Sequence, residues 1–236
     1  MPPARRAPVA FPAARGRRAQ HSLESILAGA IELLDEAGEG ALTFRSLAGR
    51  LGGGVGSIYW YVAGKDELIQ RAADEVIGRL LAQTAATVTG GDPFTALRTL
   101  AMALYATMHE HPWIAVHLMR DVELQPNSLV LYERFGQQVL RLPLTSRERF
   151  HAVSAIVNYT TGVGAELGQS PELAAAYVNV DRQEFLAAQA RAWLATDPER
   201  YPFIHEIAQE FAAHEDIDQF ASGLDLLLAG LRLQAG

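Results

Sequence analysis

Apolar side chains recur along this chain at intervals of three and four residues, and no stretch of useful length alternates with the period of two that a strand requires, so the chain reads as all-α. Leu23, Ile26, Leu27, Ala30, Ile31 and Leu34 mark a first helix, with acids on its other face and Gly38 placed to stop it. Thr43 is positioned to cap a second, short helix. Leu42 and Leu47 flank that cap as a hydrophobic staple, and Gly52 supplies the left-handed residue that ends the helix near Leu51. Ser57 to Val62 predicts a third short helix. After Gly64, Asp66 and Glu67 suit the positive first turn of a fourth helix running to about Ala86. Gly90, Gly91 and Pro93 break the chain before Phe94, Leu97, Leu100, Leu104 and Met108, and Pro112 breaks or kinks it again. Further helices are expected over Trp113 to Glu123, Ser128 to Leu140, Ser146 to Leu167 and Asp216 to Gln234. Between Gly168 and Pro202, Ala-rich pieces alternate with Pro171, Pro198 and Pro202, which predicts a mobile connection holding one helix. No repeat of roughly 20 to 50 residues is visible, which removes the helical solenoids.

Composition narrows this picture. With 236 residues, 49% of them hydrophobic, the chain can bury a sizeable core, and no apolar run reaches the roughly 18 residues a membrane span needs. Cysteine is absent, which excludes disulfides, thiolate metal sites and a cysteine nucleophile and fits a reducing cytoplasm. Residues 1–19 are rich in Pro, Ala, Arg and Gly without an acid, so they are expected to be a flexible arm rather than a secretory signal. The net charge of −7 hides an asymmetry: residues 1–65 carry eight basic and five acidic side chains, a balance of +3 that leaves −10 for the remainder. A basic end on an acidic body holds a polyanion at one place and repels it elsewhere, although such an end is also compatible with a solvated leader.

The spacing from Phe44 to Ala63 is that of a helix-turn-helix. Ala48 lets two helices cross closely, Gly52 can take the positive φ of the turn, and Leu47, Leu51 and Ile58 form the buried triangle that fixes the crossing. The same spacing also fits an ordinary αα-corner. A reading unit of this kind presents its second helix to the DNA major groove, with hydroxyls, amides and cations on the flanking phosphates.

Thr43, Leu47, Ala48, Leu51 and Gly52, followed by Ser57-Ile58-Tyr59-Trp60-Tyr61-Val62-Ala63-Gly64-Lys65-Asp66-Glu67-Leu68, resemble the DNA-binding region of TetR-family transcriptional repressors, and the Tyr-Trp pair is most similar to the tetracycline-repressor branch. The likeness extends to His111-Pro112-Trp113, to Asn158-Tyr159-Thr160-Thr161-Gly162 with Glu166, and to the run from Phe220 to Leu231. The resemblance implies a homodimer that reads a palindromic double-stranded operator and is released by a small-molecule effector bound in a larger helical domain. The expected division is an arm over 1–19, a helix-turn-helix domain over 20–66 and a ligand-binding and dimerisation domain over 67–236. By the resemblance, Tyr59, Tyr61 and Lys65 contact phosphates, Thr43 caps the second helix, and Arg45, Val55, Gly56, Ser57 and Trp60 sit at or near base edges. Lys65 is the only lysine in the chain, and Tyr61 replaces the family's usual histidine. Gly52-Gly53-Gly54-Val55-Gly56 departs from the polar side chains usual in the family, so readout is expected to lean on Arg45 toward guanine, on Val55 toward thymine methyls and on the arginine arm in a minor groove.

At the effector end, His111 and Glu166 fall near the places where the tetracycline repressor holds a metal-chelated drug. Pro112-Trp113 replaces the polar residues that follow that histidine, so no metal and no cofactor are expected. An aromatic and apolar pocket lined from Tyr105, Met108, Trp113, Met119 and Asn158 is expected instead, with core packing as the alternative role for each. For dimerisation, Ile217, Phe220, Leu224, Leu227, Leu228 and Leu231 form one apolar face and Phe150, Val153, Ile156, Val157, Thr160, Val163 and Leu167 another; both are expected to build a four-helix interface, or else to be core within one chain. Two readings compete with a regulator. One is a protein-interaction module with a vestigial helix-turn-helix. The other is an all-α enzyme, against which the chain offers no HExxH, no paired Glu-x-x-His, no nucleophile elbow and no phosphate-binding Gly loop, while His109 and His111 diverge on a helix.

Overall fold

The computed structural model describes residues 21–86, 90–120, 125–168 and 182–236, without the side chains of 119, 120, 167 and 168. The arm over 1–19 lies outside the described residues. Helices α1 (Leu23–Ala41), α2 (Phe44–Leu51), α3 (Lys65–Thr84), α4 (Pro93–Glu110), α5 (Trp113–Arg120), α6 (Pro126–Leu140), α7 (Ser146–Gly168), α8 (Arg182–Leu194), α9 (Pro202–Ala213) and α10 (Asp216–Gln234) follow one another, and no strand occurs among the described residues.

Two buried clusters organise the chain. The first joins Ile26, Ile31 and Leu34 of α1 to Leu42, Leu47, Ile58, Val62 and to Leu68, Ile69, Ala72 and Val76 of α3. Ile114, from the first turn of α5, is fully buried in the same cluster. The second cluster contains the rest of α3 through Ile77, Leu80 and Leu81, and brings together α4, α6, α7 and α10 around Leu100, Leu104, Phe135, Ile156, Phe220 and Leu224. The long helix α3 therefore has its first half in the reading head and its second half in the body. The body fastens it with side chains. Asp74 accepts the Asn127 and Ser128 backbone N–H groups at 2.9 and 3.1 Å, which caps the start of α6, and Arg134 donates to the Leu81 carbonyl at 2.6 Å.

Several sequence expectations are met and others corrected. Thr43 caps α2: its hydroxyl accepts from Ser46 N–H at 3.0 Å while the Ser46 hydroxyl accepts from Thr43 N–H at 2.9 Å, and Gly52 ends the helix at φ 70°. Gly38 takes a positive φ as its position suggests, yet helical turns continue past it to Ala41. The helix expected over Ser57 to Val62 is not regular: Val55–Ser57 form one 3₁₀ turn, and the chain turns on through Tyr61. Three glycines in the four positions before this turn weaken helix nucleation, and Ser57 hydroxyl donates back to the Gly54 carbonyl at 2.7 Å. α8 is the helix expected between Gly168 and Pro202, and residues 169–181 of that connection lie outside the described residues. α9 is an addition to the sequence reading: Pro202 reads as a breaker but occupies the first position of a helix, where its missing N–H costs nothing, as does Pro126 at the start of α6. α8 and α9 pack chiefly on one another and are tied to the rest by Arg182, which pairs with Asp216 and donates to the His214 carbonyl at 3.0 Å.

The two faces expected at a dimer interface serve instead, for the most part, as core within one chain. Phe220, Leu224, Leu228 and Leu231 of α10 and Val153, Ile156 and Thr160 of α7 are buried against their own subunit. The large apolar side chains left outside on the same two helices are Phe150, Ile217, Leu226 and Leu233, and a groove of about 290 Å³ between the helices is lined by His151, Ala155, Leu226, Leu227 and Gly230.

Candidate functional site

The reading head presents its chemistry on α2 and the turn that follows it. Gly53 is where the chain passes His21, just before α1: a β-carbon there would lie 2.0 Å from the imidazole Nε2, so any larger residue would push that ring off the turn. Part of the glycine run is thereby explained by packing. Beyond it, Tyr59 and Trp60 project from the head, 60% and 85% exposed, and Tyr59 is braced by an edge-on contact with Phe44 at 4.7 Å between ring centres. Arg45 on the first turn of α2 is exposed and makes no ion pair among the described residues. Arg50 is not: it bridges to Glu32 and Glu36 of α1, and its hydrogen bond holds the Glu36 carboxyl below the usual range.

The remaining head residues divide by burial. Gly56 is exposed, whereas Val55 and Tyr61 pack partly against the head core and Ser57 is half-buried. Lys65, the first residue of α3, donates to the Glu39 carbonyl at 2.5 Å and so ties the end of α1 to the start of α3. Glu67 does the same for the reading turn. Its carboxylate accepts the Ala63 N–H at 2.6 Å and pairs with Arg71, and the backbone hydrogen bond first, the arginine second, holds its pKa below the ordinary glutamate value.

Of the seven residues named for the effector, six fall into three places. Tyr105 and Met108 are buried in the body core, where Tyr105, Phe220 and Tyr159 form a parallel stack with ring centres 4.2 and 5.5 Å apart and burial pushes the hydroxyls of Tyr105 and Tyr159 up in pKa. His111 and Trp113 sit elsewhere, at the seam with the head, where His111 Nδ1 and Trp113 Nε1 both lie 2.7 Å from Asp35 Oδ1. Asn158 and Glu166 are exposed on α7, and the Met119 side chain lies outside the described residues. Of the six whose side chains are described, none lines the groove between α7 and α10, or a second, open groove of about 480 Å³ between α4 and α10 bounded by Phe94, Arg98, Asp225 and Arg232. Asp35, Asp74 and Ile114 are the residues that sequence reasoning passes over. Asp35 reads as one more acid on the solvent side of α1, and no local pattern marks its partners 76 and 78 residues away.

No group of three or more metal-ligating side chains occurs among the described residues, and no helix among them is long and apolar enough to cross a membrane.

Comparison with known proteins agrees with this architecture. Residues 26–72 match the model of the bacterial regulatory proteins of the tetR family, and residues 89–235 match the tetracyclin repressor-like C-terminal domain. The transcriptional regulator SCO7222, a TetR from Streptomyces coelicolor, superposes with a TM-score of 0.75 at 34% identity, over 92% of this chain and 100% of that one. The transcriptional repressor DrrR1 of Streptomyces coeruleorubidus is 28% identical over 93% of this chain and 80% of its own length. The tetracycline repressor protein class D of Escherichia coli is 28% identical over 89% of each. With both halves matched in the order and at the places where the reading head and the body lie, the chain belongs to the TetR family of transcriptional regulators.

Proposed function

We propose that two copies of this chain form a cytoplasmic repressor that occupies a palindromic operator and leaves it when a small molecule binds in the helical body. The observation that carries the reading is the exposed Tyr59-Trp60 pair, with Tyr59 held against Phe44 next to Arg45 in the chain, an arginine without an ion pair among the described residues, on a head whose α2 is capped and whose turn is packed. Two large exposed aromatics together with an exposed guanidinium suit a ligand with phosphates and base edges. The roles in this reading are those that the family resemblance implies. Tyr59 and Tyr61 contact phosphates, Lys65 joins them with the N–H donors not used on Glu39, Arg45 reads a base, and Trp60, Val55, Gly56 and Ser57 lie close to the groove floor.

Two half-sites require two heads, and the second copy docks on the outer strip of α7 and α10 at Phe150, Leu226 and Leu233, which is apolar and exposed. The effector in this reading is an aromatic or apolar molecule, without metal or cofactor, that opens the packed body core near Tyr105, Met108 and the Phe220 stack, where the side chains are buried before it binds. Release follows from α3. Because Asp74 and Arg134 bind that helix to α6, a ligand that shifts α6 moves α3 and with it the head.

Selection of bound duplexes from a random pool, followed by titration of the enriched sequence at several salt concentrations, tests the reading. A palindrome with a steep salt slope is expected. Replacing Tyr59 and Lys65 by alanine is expected to weaken binding to every duplex and shallow that slope, while Arg45→Ala relaxes preference at one position per half-site. Absence of enrichment together with salt-insensitive binding would sink the operator reading.

A further inference from the structure

At the corner between α4 and α5 the body takes hold of the reading head at a second place, independent of α3. The two residues that flank Pro112 point to the same carboxylate oxygen on α1: His111 Nδ1 and Trp113 Nε1 each lie 2.7 Å from Asp35 Oδ1. The indole is set between two imidazoles, with the rings of His111 and His117 both 6.3 Å from it at steep angles, and His117 Nε2 faces Glu39 of α1 at 3.6 Å. Immediately behind this polar row, Ile114 is buried in the head core. An apolar plug allows a head to rock about it. A carboxylate oxygen held by two donors from the α4–α5 corner restricts that freedom, because displacing it along the line between the donors lengthens one hydrogen bond and drawing it away from them lengthens both.

We propose that Asp35 is a positioning residue that sets the angle of each reading head on its body, and through it the half-site spacing the dimer accepts. This rests on the operator reading above. Spacing is where such a residue acts: half-sites lie about 34–36 Å apart, and one added or removed base pair displaces a half-site by about 3.4 Å along the duplex and rotates it around the axis. Heads held rigidly discriminate against that change. Heads that rock on Ile114 tolerate it.

The experiment compares four duplexes against the wild-type protein and against Asp35→Ala, Asp35→Asn and Trp113→Phe: the enriched palindrome, the same palindrome with its centre lengthened or shortened by one base pair, and a single half-site. The wild type is expected to prefer the natural spacing strongly. Asp35→Ala is expected to reduce that preference by about tenfold while half-site affinity changes less than about twofold, with Asp35→Asn and Trp113→Phe intermediate. The side-chain amide introduced by Asp35→Asn keeps an acceptor for the indole N–H without the charge, so that variant carries the test if Asp35→Ala does not fold. Variants that discriminate spacings as the wild type does, or that lose half-site and palindrome equally, would overturn the proposal. Failure of the wild type to enrich any palindrome would instead end the operator reading, and this inference with it.

Discussion

At the scale of single residues, the body core is specified by what glycine leaves room for. A β-carbon at Gly223 of α10 would lie 2.0 Å from the Tyr159 hydroxyl and 2.6 Å from its ring, and a β-carbon at Gly164 of α7 would lie 2.3 Å from the Met108 methyl. The two obstacles differ in how they yield. Met108 ends in a flexible thioether that can swing aside, whereas Tyr159 is pinned by its stack on Phe220 and by its hydrogen bond to the Phe220 carbonyl at 3.2 Å. Alanine also favours a helix over glycine by about 1 kcal/mol. Gly164→Ala is therefore expected to be close to neutral, and Gly223→Ala to destabilise by about 1–3 kcal/mol, read as a shift in the denaturant midpoint. Equal effects from the two substitutions would show that the aromatic stack is no stiffer than the thioether.

Among elements, the reading turn depends on what holds its ends, since it lacks a regular helix of its own. Glu67 fixes the far end by accepting the Ala63 N–H, and its lowered pKa gives that contact a sign with pH. Stability from this group is full above the ordinary glutamate pKa and is lost as pH falls through the lower, folded value. Thermal melts are expected to show wild type above Glu67→Gln at neutral pH, with the gap closing in the acid range; a gap that is constant down to pH 3 or so would mean the charge on Glu67 contributes nothing. The same dependence on ends explains what is legible in the order of residues. α2 and α10 can be read closely, because Thr43, Gly52 and the period of α10 are local signals, while α9 and the start of α6 are obscured by prolines that begin helices as readily as they break them. The third helix is over-read because its hydrophobic positions, Ile58 and Val62, are buried as a helix would bury them although the intervening backbone only turns. For the site, exposure of Trp60 and Arg45 follows the helix-turn-helix spacing, whereas the pairing of Asp35 with residues on a distant corner has no local signal.

For the whole molecule, the same helices serve inside and outside. α7 and α10 each bury one side in their own subunit and keep a second side, carrying Phe150, Leu226 and Leu233, in contact with solvent. Amphipathic period alone identifies apolar faces here but not which of them meets a second chain. Leu226, 75% exposed in the single chain, separates the two uses: Leu226→Glu is expected to leave the fold of the subunit intact while weakening self-association roughly a hundredfold or more, since symmetry introduces the charge twice, and sedimentation measures both. A variant as dimeric as wild type would remove that strip from the interface. The position of Ile114 has a different consequence, for those who would recombine such proteins. A reading head transplanted at the end of α3 leaves one of its core side chains behind in the donor and meets, in its new host, whatever α5 happens to offer. Heads and bodies of this architecture are thus not interchangeable at a single seam, and a chimera should carry the α4–α5 corner with the head or match it deliberately.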